Sequence, residues 1–150
     1  VVEIRTDLTL GPRYNAKAYN PKVLIMSKNQ FTIHHASLIV SDTEQSLRFY
    51  RDVLGMVPVE RPDLPFPGAW LQIGEQQIHL LELDNPDPTT GRPVHGGRDR
   101  HVALHCQSVE MLRQDLEKAG IAYTLSISGR KALFSRDRDG NALEFIERAG

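Results

Sequence analysis

The chain has 150 residues and a mass of 16.9 kDa, room for one ordinary domain and little for a second. Hydrophobic residues make up 40% and 11 further positions are glycine, a globular share that excludes disorder as the overall state. Lys+Arg number 18 against Asp+Glu 19, a formal net charge of −1, so no basic footprint for nucleic acid is present. No apolar run approaches the roughly 18 residues of a membrane-spanning helix, and no membrane partner is expected. Cys106 is the single cysteine and no segment reads as a signal peptide, which together suggest a reducing, cytoplasmic setting. Six histidines in so short a chain raise the question of a metal.

Residues 1–30 hold no sustained period and are broken at Gly11-Pro12, so an N-terminal arm or extension is expected there. The patterned domain is expected over 31–150. A β-branched run over 31–40 predicts a strand. Asp42 is a candidate helix N-cap with Gln45 three residues on, Leu47, Tyr50 and Leu54 follow at helical spacing, and Gly55 marks the stop. Strands are expected over 69–73 and 77–83, joined by the turn at Gly74-Glu75-Gln76. Proline and glycine then interrupt every period up to residue 100, which predicts a linker over 86–98. Beyond it come a strand over 101–106 and a helix capped by Ser108 and stopped at Gly120. Strands at 131–134 and 142–147 flank the Asp139-Gly140 turn.

The second half repeats the first. His35 and His101 lie 66 positions apart, Gly55 and Gly120 lie 65 apart, and so do His79 and Glu144. Two copies of strand, helix and strand meander therefore stand in tandem, module 1 over 31–85 and module 2 over 99–150. Each copy opens on a histidine and closes on a strand carrying His79 or Glu144, residue types that ligate divalent metals.

Side chains on a strand alternate faces, which narrows the choice. His35, Ser37 and Ile39 share one face and Ala36, Leu38 and Val40 the other, so His34 should point away from an ion at His35. His105 shares the face of His101 but lies about 13 Å further along the strand. Glu82 and Glu147 fall opposite His79 and Glu144. His35, His79, His101 and Glu144 remain as the candidate ligand set, and His34, His95 and His105 are read as structural. Trp70 and Phe66 are candidates for a substrate-pocket wall or, alternatively, for the core. Arg98, with Asp99 and Arg100, either steers an anionic substrate or belongs to a solvated loop. Cys106 is expected on the buried, helix-facing side.

The stretch from His35 to Gly55, with Ser41-Asp42, Phe49-Tyr50 and Leu54-Gly55, resembles the vicinal oxygen chelate superfamily of glyoxalases, bleomycin-resistance proteins and extradiol dioxygenases. Asp139-Gly140-Asn141-Ala142-Leu143-Glu144 is similar to that family's ending, with Arg138 where proline is common. The resemblance covers about residues 31–148. It implies an α+β fold, two tandem βαβββ modules forming a cupped mixed sheet with helices on the outside, around one divalent ion. It implies a homodimer whose sites lie near the interface and draw ligands from one chain or from both. His35, His101 and Glu144 fall at the commonest ligand positions. His79 falls where the glyoxalase I branch carries a glutamate.

Three imidazoles and a carboxylate suit Ni, Fe, Zn or Mn. Four protein ligands on an octahedral ion leave two adjacent positions for vicinal oxygens of a small substrate, and the metal then acts as a Lewis acid. The leading expectation is a glyoxalase-type lyase or isomerase acting on a 2-oxo or hemithioacetal compound through an enediolate, with Glu144 as the catalytic proton carrier. An extradiol ring-cleaving dioxygenase using Fe(II) is the first alternative, and a non-enzymatic small-molecule or drug-binding module the second.

Overall fold

A computed structural model of the chain describes residues 31–148, so the expected arm over 1–30 lies outside the described residues. The first strand, β1 (His35–Val40), starts four residues later than the β-branched run. Ala36, Leu38 and Val40 pack into the core while His35 and Ser37 stay exposed, the alternation expected of a half-buried strand. Asp42 caps α1 (Thr43–Leu47) by accepting the Gln45 N–H at 2.9 Å. The helix then widens into π-helical turns over Arg48–Val53, which bury Phe49 beside Tyr50. Gly55 follows at φ 71°, and its counterpart Gly120 at φ 68°, left-handed positions that end each helix at low steric cost.

The strands β2 (Val57–Val59), β3 (Gly68–Ile73) and β4 (Gln76–Glu82) complete the first sheet, in the order β1-β4-β3-β2. Pro58 is tolerated in β2 because that strand is an edge. The second sheet repeats this plan with β5 (His101–Cys106), β6 (Tyr123–Leu125), β7 (Ala132–Arg136) and β8 (Ala142–Glu147), in the order β5-β8-β7-β6. Helix α2 (Val109–Lys118) follows β5, with the Ser108 hydroxyl accepting the Met111 N–H. In the linker, a single 3-10 turn over Gly96–Arg98 interrupts the irregular chain that sequence patterning predicts.

The register shows how close the duplication is. β1 runs parallel to β4 with Ser37 opposite His79, and β5 runs parallel to β8 with Ala103 opposite Glu144. Two strand positions separate the opening histidine from that pairing in both modules. Glu82 and Glu147, three residues on and on the other face, each accept the first backbone N–H of their own module's helix, from Thr43 at 2.8 Å and Val109 at 3.0 Å. A carboxylate at a helix N-terminus satisfies an orphan donor and complements the helix dipole. Each helix is thus pinned to the strand that carries a candidate ligand.

One core spans both modules, with Tyr50, Leu71, Ile78 and Leu80 from the first and Leu116, Leu133, Leu143 and Phe145 from the second. A polar seam joins them as well. The Tyr50 hydroxyl donates to Asp137 at 2.8 Å, and the Asn141 amide donates to the Ile39 carbonyl at 2.9 Å. Cys106 is partly buried against this core, and its burial raises the thiol pKa.

Candidate metal centre

In module 2 the parallel pairing of β5 and β8 sets His101 beside Glu144. His101 Nε2 lies 3.3 Å from Glu144 Oε2, and only 5% of the glutamate side chain is exposed. The other ring nitrogen, Nδ1, is 2.8 Å from the Asp99 carbonyl, which can only accept, so Nδ1 carries the proton and Nε2 faces the carboxylate. A lone pair opposite a carboxylate oxygen is unfavourable unless a cation stands between them, either a proton or a metal ion. Two ligand atoms on one ion, each about 2.1 Å from it, are roughly 3.0–3.4 Å apart, and the His101–Glu144 spacing falls in that range. Metal-ligating histidines are also usually oriented in this way, with the far ring nitrogen donating to a carbonyl. The residues of this half fit a first-row divalent ion.

In module 1 a chain of amides sets His79. Gln72 Nε2 donates to the carbonyls of Gly74 and Gln76 at 2.7 and 3.0 Å, so Gln72 Oε1 accepts from Gln77 Nε2 at 3.0 Å. Gln77 Oε1 is then left facing His79 Nε2 at 2.8 Å, which must carry the proton. Nδ1 is the lone-pair nitrogen of His79. Its ring is sandwiched between the indole of Trp70, at 4.2 Å and 4°, and the imidazole of His35, at 4.0 Å and 12°. Burial first, then the neighbouring His35 and His34, lower its pKa and favour the neutral ring. The lone pairs of stacked rings lie in nearly parallel planes, so His35 and His79 as placed do not aim at one point.

Strand parity fails at His34. The residue precedes β1 and no strand alternation governs it, so its Nδ1 turns to within 2.9 Å of His35 Nδ1 instead of pointing away. His105, on β5, stays outside these contacts. Among the described residues no three His, Cys, Asp or Glu side chains converge into a metal-holding group. One chain therefore brings together His101 with Glu144 and His35 with His79, but not the two pairs with each other.

Of the expected pocket residues, Trp70 lies on His79 and its indole N–H has no hydrogen-bond partner. Phe66 precedes β3 beneath the Arg61 guanidinium, 5.1 Å from its ring centroid. Arg98 lines a cleft of about 200 Å³ together with His101 and Glu144. A solvated-loop reading of the neighbouring Asp99 is overturned. Its side chain is only 10% exposed and contacts Arg136 at 2.8 Å and Arg92 at 3.0 Å. Burial opposes ionisation there, but the Arg136 hydrogen bond and Arg92 outweigh it and hold the carboxyl below its ordinary value. Asp99 is a structural tie that aims its own carbonyl at His101. The loop can lie flat because residue 96 is glycine, where a Cβ would come within 2.8 Å of Phe134 Cβ.

Sequence reasoning missed Arg130, which donates to Glu144 Oε1 at 3.0 Å, and Gln77, which fixes His79. Gln77 was accessible through parity, two residues before His79. Arg130 sits in the turn before β7, where no period points to a site.

Fold and site together define a duplicated α+β protein with a histidine–carboxylate centre on its sheets. Residues 32–145 match the Glyoxalase/Bleomycin resistance protein/Dioxygenase superfamily, and the chain belongs to that family. It is 31% identical over 119 residues to Glyoxylase I 4 of Arabidopsis thaliana, covering 75% of this chain and 68% of the relative. It is 28% identical over 129 residues to the mitochondrial methylmalonyl-CoA epimerase of Mus musculus, covering 78% and 72%. The crystal structure of a glyoxalase family protein from Bacillus anthracis shares the fold with a TM-score of 0.69 at 23% identity, over 83% of this chain and all (100%) of that one.

Proposed function

We propose that the protein is a metal-dependent lyase or isomerase of glyoxalase type that handles a small substrate with two adjacent oxygens and works as a homodimer. The observation that carries this reading is the His101–Glu144 pair, an imidazole nitrogen with its tautomer set by the Asp99 carbonyl and facing a buried carboxylate across 3.3 Å. Such a pair asks for a cation. His101 and Glu144 would hold a divalent ion together with His35, or His79, of a second chain. When bound, that ion supplies Lewis acidity toward the substrate oxygens.

The chain's own residues do the rest. Glu144, almost wholly enclosed, is the carboxylate placed to take a proton from the substrate carbon and return it. Trp70 and His79 form a flat wall under His35. The separation of the two half-sites within one chain supports the dimer. Solvent-deuterium exchange into 2-oxo thiol adducts tests the reaction. Exchange that is lost in Glu144→Gln supports it, and no exchange with any adduct contradicts it.

One observation favours a second reading. If the stacked rings leave only His35 as a ligand, the set becomes His35, His101 and Glu144, two histidines and one carboxylate, which suits Fe(II) and oxygen chemistry. Oxygen uptake with catechols after anaerobic Fe(II) loading supports a ring-cleaving dioxygenase, and silence across the panel removes it.

A further inference from the structure

The cleft beside Glu144 is strongly biased in charge. Arg98 and Arg130 line it with His95 and His101, and Glu144 is its one acidic side chain. The Arg98 side chain makes no hydrogen bond or ion pair among the described residues, while its backbone N–H donates to the His95 carbonyl at 3.0 Å. Arg130 is held from one side: its Nε donates to the Ser128 hydroxyl at 3.2 Å and its Nη2 to Glu144 Oε1 at 3.0 Å. Its Nη1 has no partner among the described residues, and 58% of the side chain is exposed. Ser128 in turn shares a hydrogen bond with Ser126, 2.8 Å away, so two hydroxyls stand beside the guanidinium.

Two arginines against one carboxylate leave a surplus of positive charge that a neutral substrate would not use. A divalent ion between His101 Nε2 and Glu144 Oε2 would enlarge that surplus, with Arg130 on the other carboxylate oxygen, Oε1. The guanidinium keeps Nη1 unpaired among the described residues, on the planar fork that matches a carboxylate or phosphate edge. We infer that Arg130, with Arg98 lining the same cleft, is the specificity-determining cation of the site and selects substrates that carry an anionic group of carboxylate type next to the chelating oxygens. This rests on the metal-dependent reading above and deepens it by naming the substrate class.

A matched pair of probes tests it. Butanohydroxamic acid and succinic monohydroxamic acid share a head with two adjacent oxygens and differ by one carboxylate. Titration calorimetry on zinc-loaded protein should show the carboxylate-bearing probe binding about tenfold tighter, the size of one charge-assisted contact. Arg130→Gln should erase that preference and bring the two probes to equal affinity, while Arg130→Lys should keep part of it. Equal affinity of the native protein for the two probes, a preference that survives Arg130→Gln, or an equal loss for both probes would overturn the inference. Uptake of zinc, nickel, manganese and iron(II) is measured first. If the protein takes up none, the metal-dependent reading fails by itself and succinate binding to the metal-free protein decides. Binding lost in Arg130→Gln upholds the anion site, and absent or unaltered binding overturns it.

Discussion

The imidazoles of His35 and His79 lie face to face, 4.0 Å apart at the centroids and 12° from parallel, with Trp70 stacked on the far side of His79. The neighbouring strands β1 and β4 put the two histidines on one face, and the Gln72–Gln77 amide chain holds the lower ring in a single tautomer. For His79, nitrogen-detected NMR should therefore show a neutral ring protonated at Nε2. Its lowered pKa keeps it neutral as pH falls through its ordinary value of 6.5. The sign follows: the folded state binds fewer protons than the unfolded chain below 6.5, so this group contributes stability that is lost as pH drops toward the folded value. A ring that titrates at or above 6.5 would contradict the stacked, amide-anchored arrangement.

Divalent ions should stabilise the protein through His101 and Glu144. At a metal concentration about a thousandfold above Kd, mass action supplies about 4 kcal/mol, an upward shift in Tm easily seen in a thermal melt. Chelator should reverse the shift, and His101→Ala or Glu144→Gln should abolish it. A shift that survives both substitutions would place the ion elsewhere.

The seam between modules is a buried carboxylate with four donors. Asp137 accepts from the Tyr50 hydroxyl, the backbone N–H groups of Asp139 and Asn141, and the Asn141 amide. Burial above all, and Asp137 next, push the Tyr50 pKa well above 10.0, so the hydroxyl remains a donor across the working range. Tyr50→Phe removes one of those donors and should cost about 1–3 kcal/mol in chemical denaturation. A loss well under that range would show that the seam is not holding the modules.

The helix anchors give a pH signature. The Lys131 hydrogen bond, and then the Val109 N–H, hold Glu147 below its ordinary value of 4.5. A depressed carboxyl contributes stability above 4.5 that disappears as pH falls through the folded value. Glu147→Gln should therefore melt below the native protein at neutral pH, and the two curves should meet in acid. A constant gap down to low pH would contradict the anchor.

Much of this was legible in the sequence because the duplication supplied an internal ruler. The 65- and 66-residue offsets placed His35, His79, His101 and Glu144 at equivalent strand positions, and the Ser37–His79 and Ala103–Glu144 registers agree. What escaped lies where periodicity has no hold. β2 and β6 have three residues each, too few to show an alternation, and Pro58 argues against a strand until β2 is seen to be an edge. Arg130 and Asp99 act from loops. His34 broke its parity because the strand begins one residue after it. Most important, equivalence by repeat puts four residues on matching faces without saying that one chain brings those faces together, and here it does not.

That separation makes the two-chain site the claim to test, and subunit mixing does so most directly. A variant lacking the module 1 pair, His35→Ala with His79→Ala, and a variant lacking the module 2 pair, His101→Ala with Glu144→Gln, are each expected to bind no divalent ion. Denatured and refolded together in equal amounts, they form mixed dimers in which one site combines the intact halves. Metal uptake should return to about a quarter of the native value. Uptake that stays at zero in the mixture, with mixed dimers present, would contradict a site shared between chains.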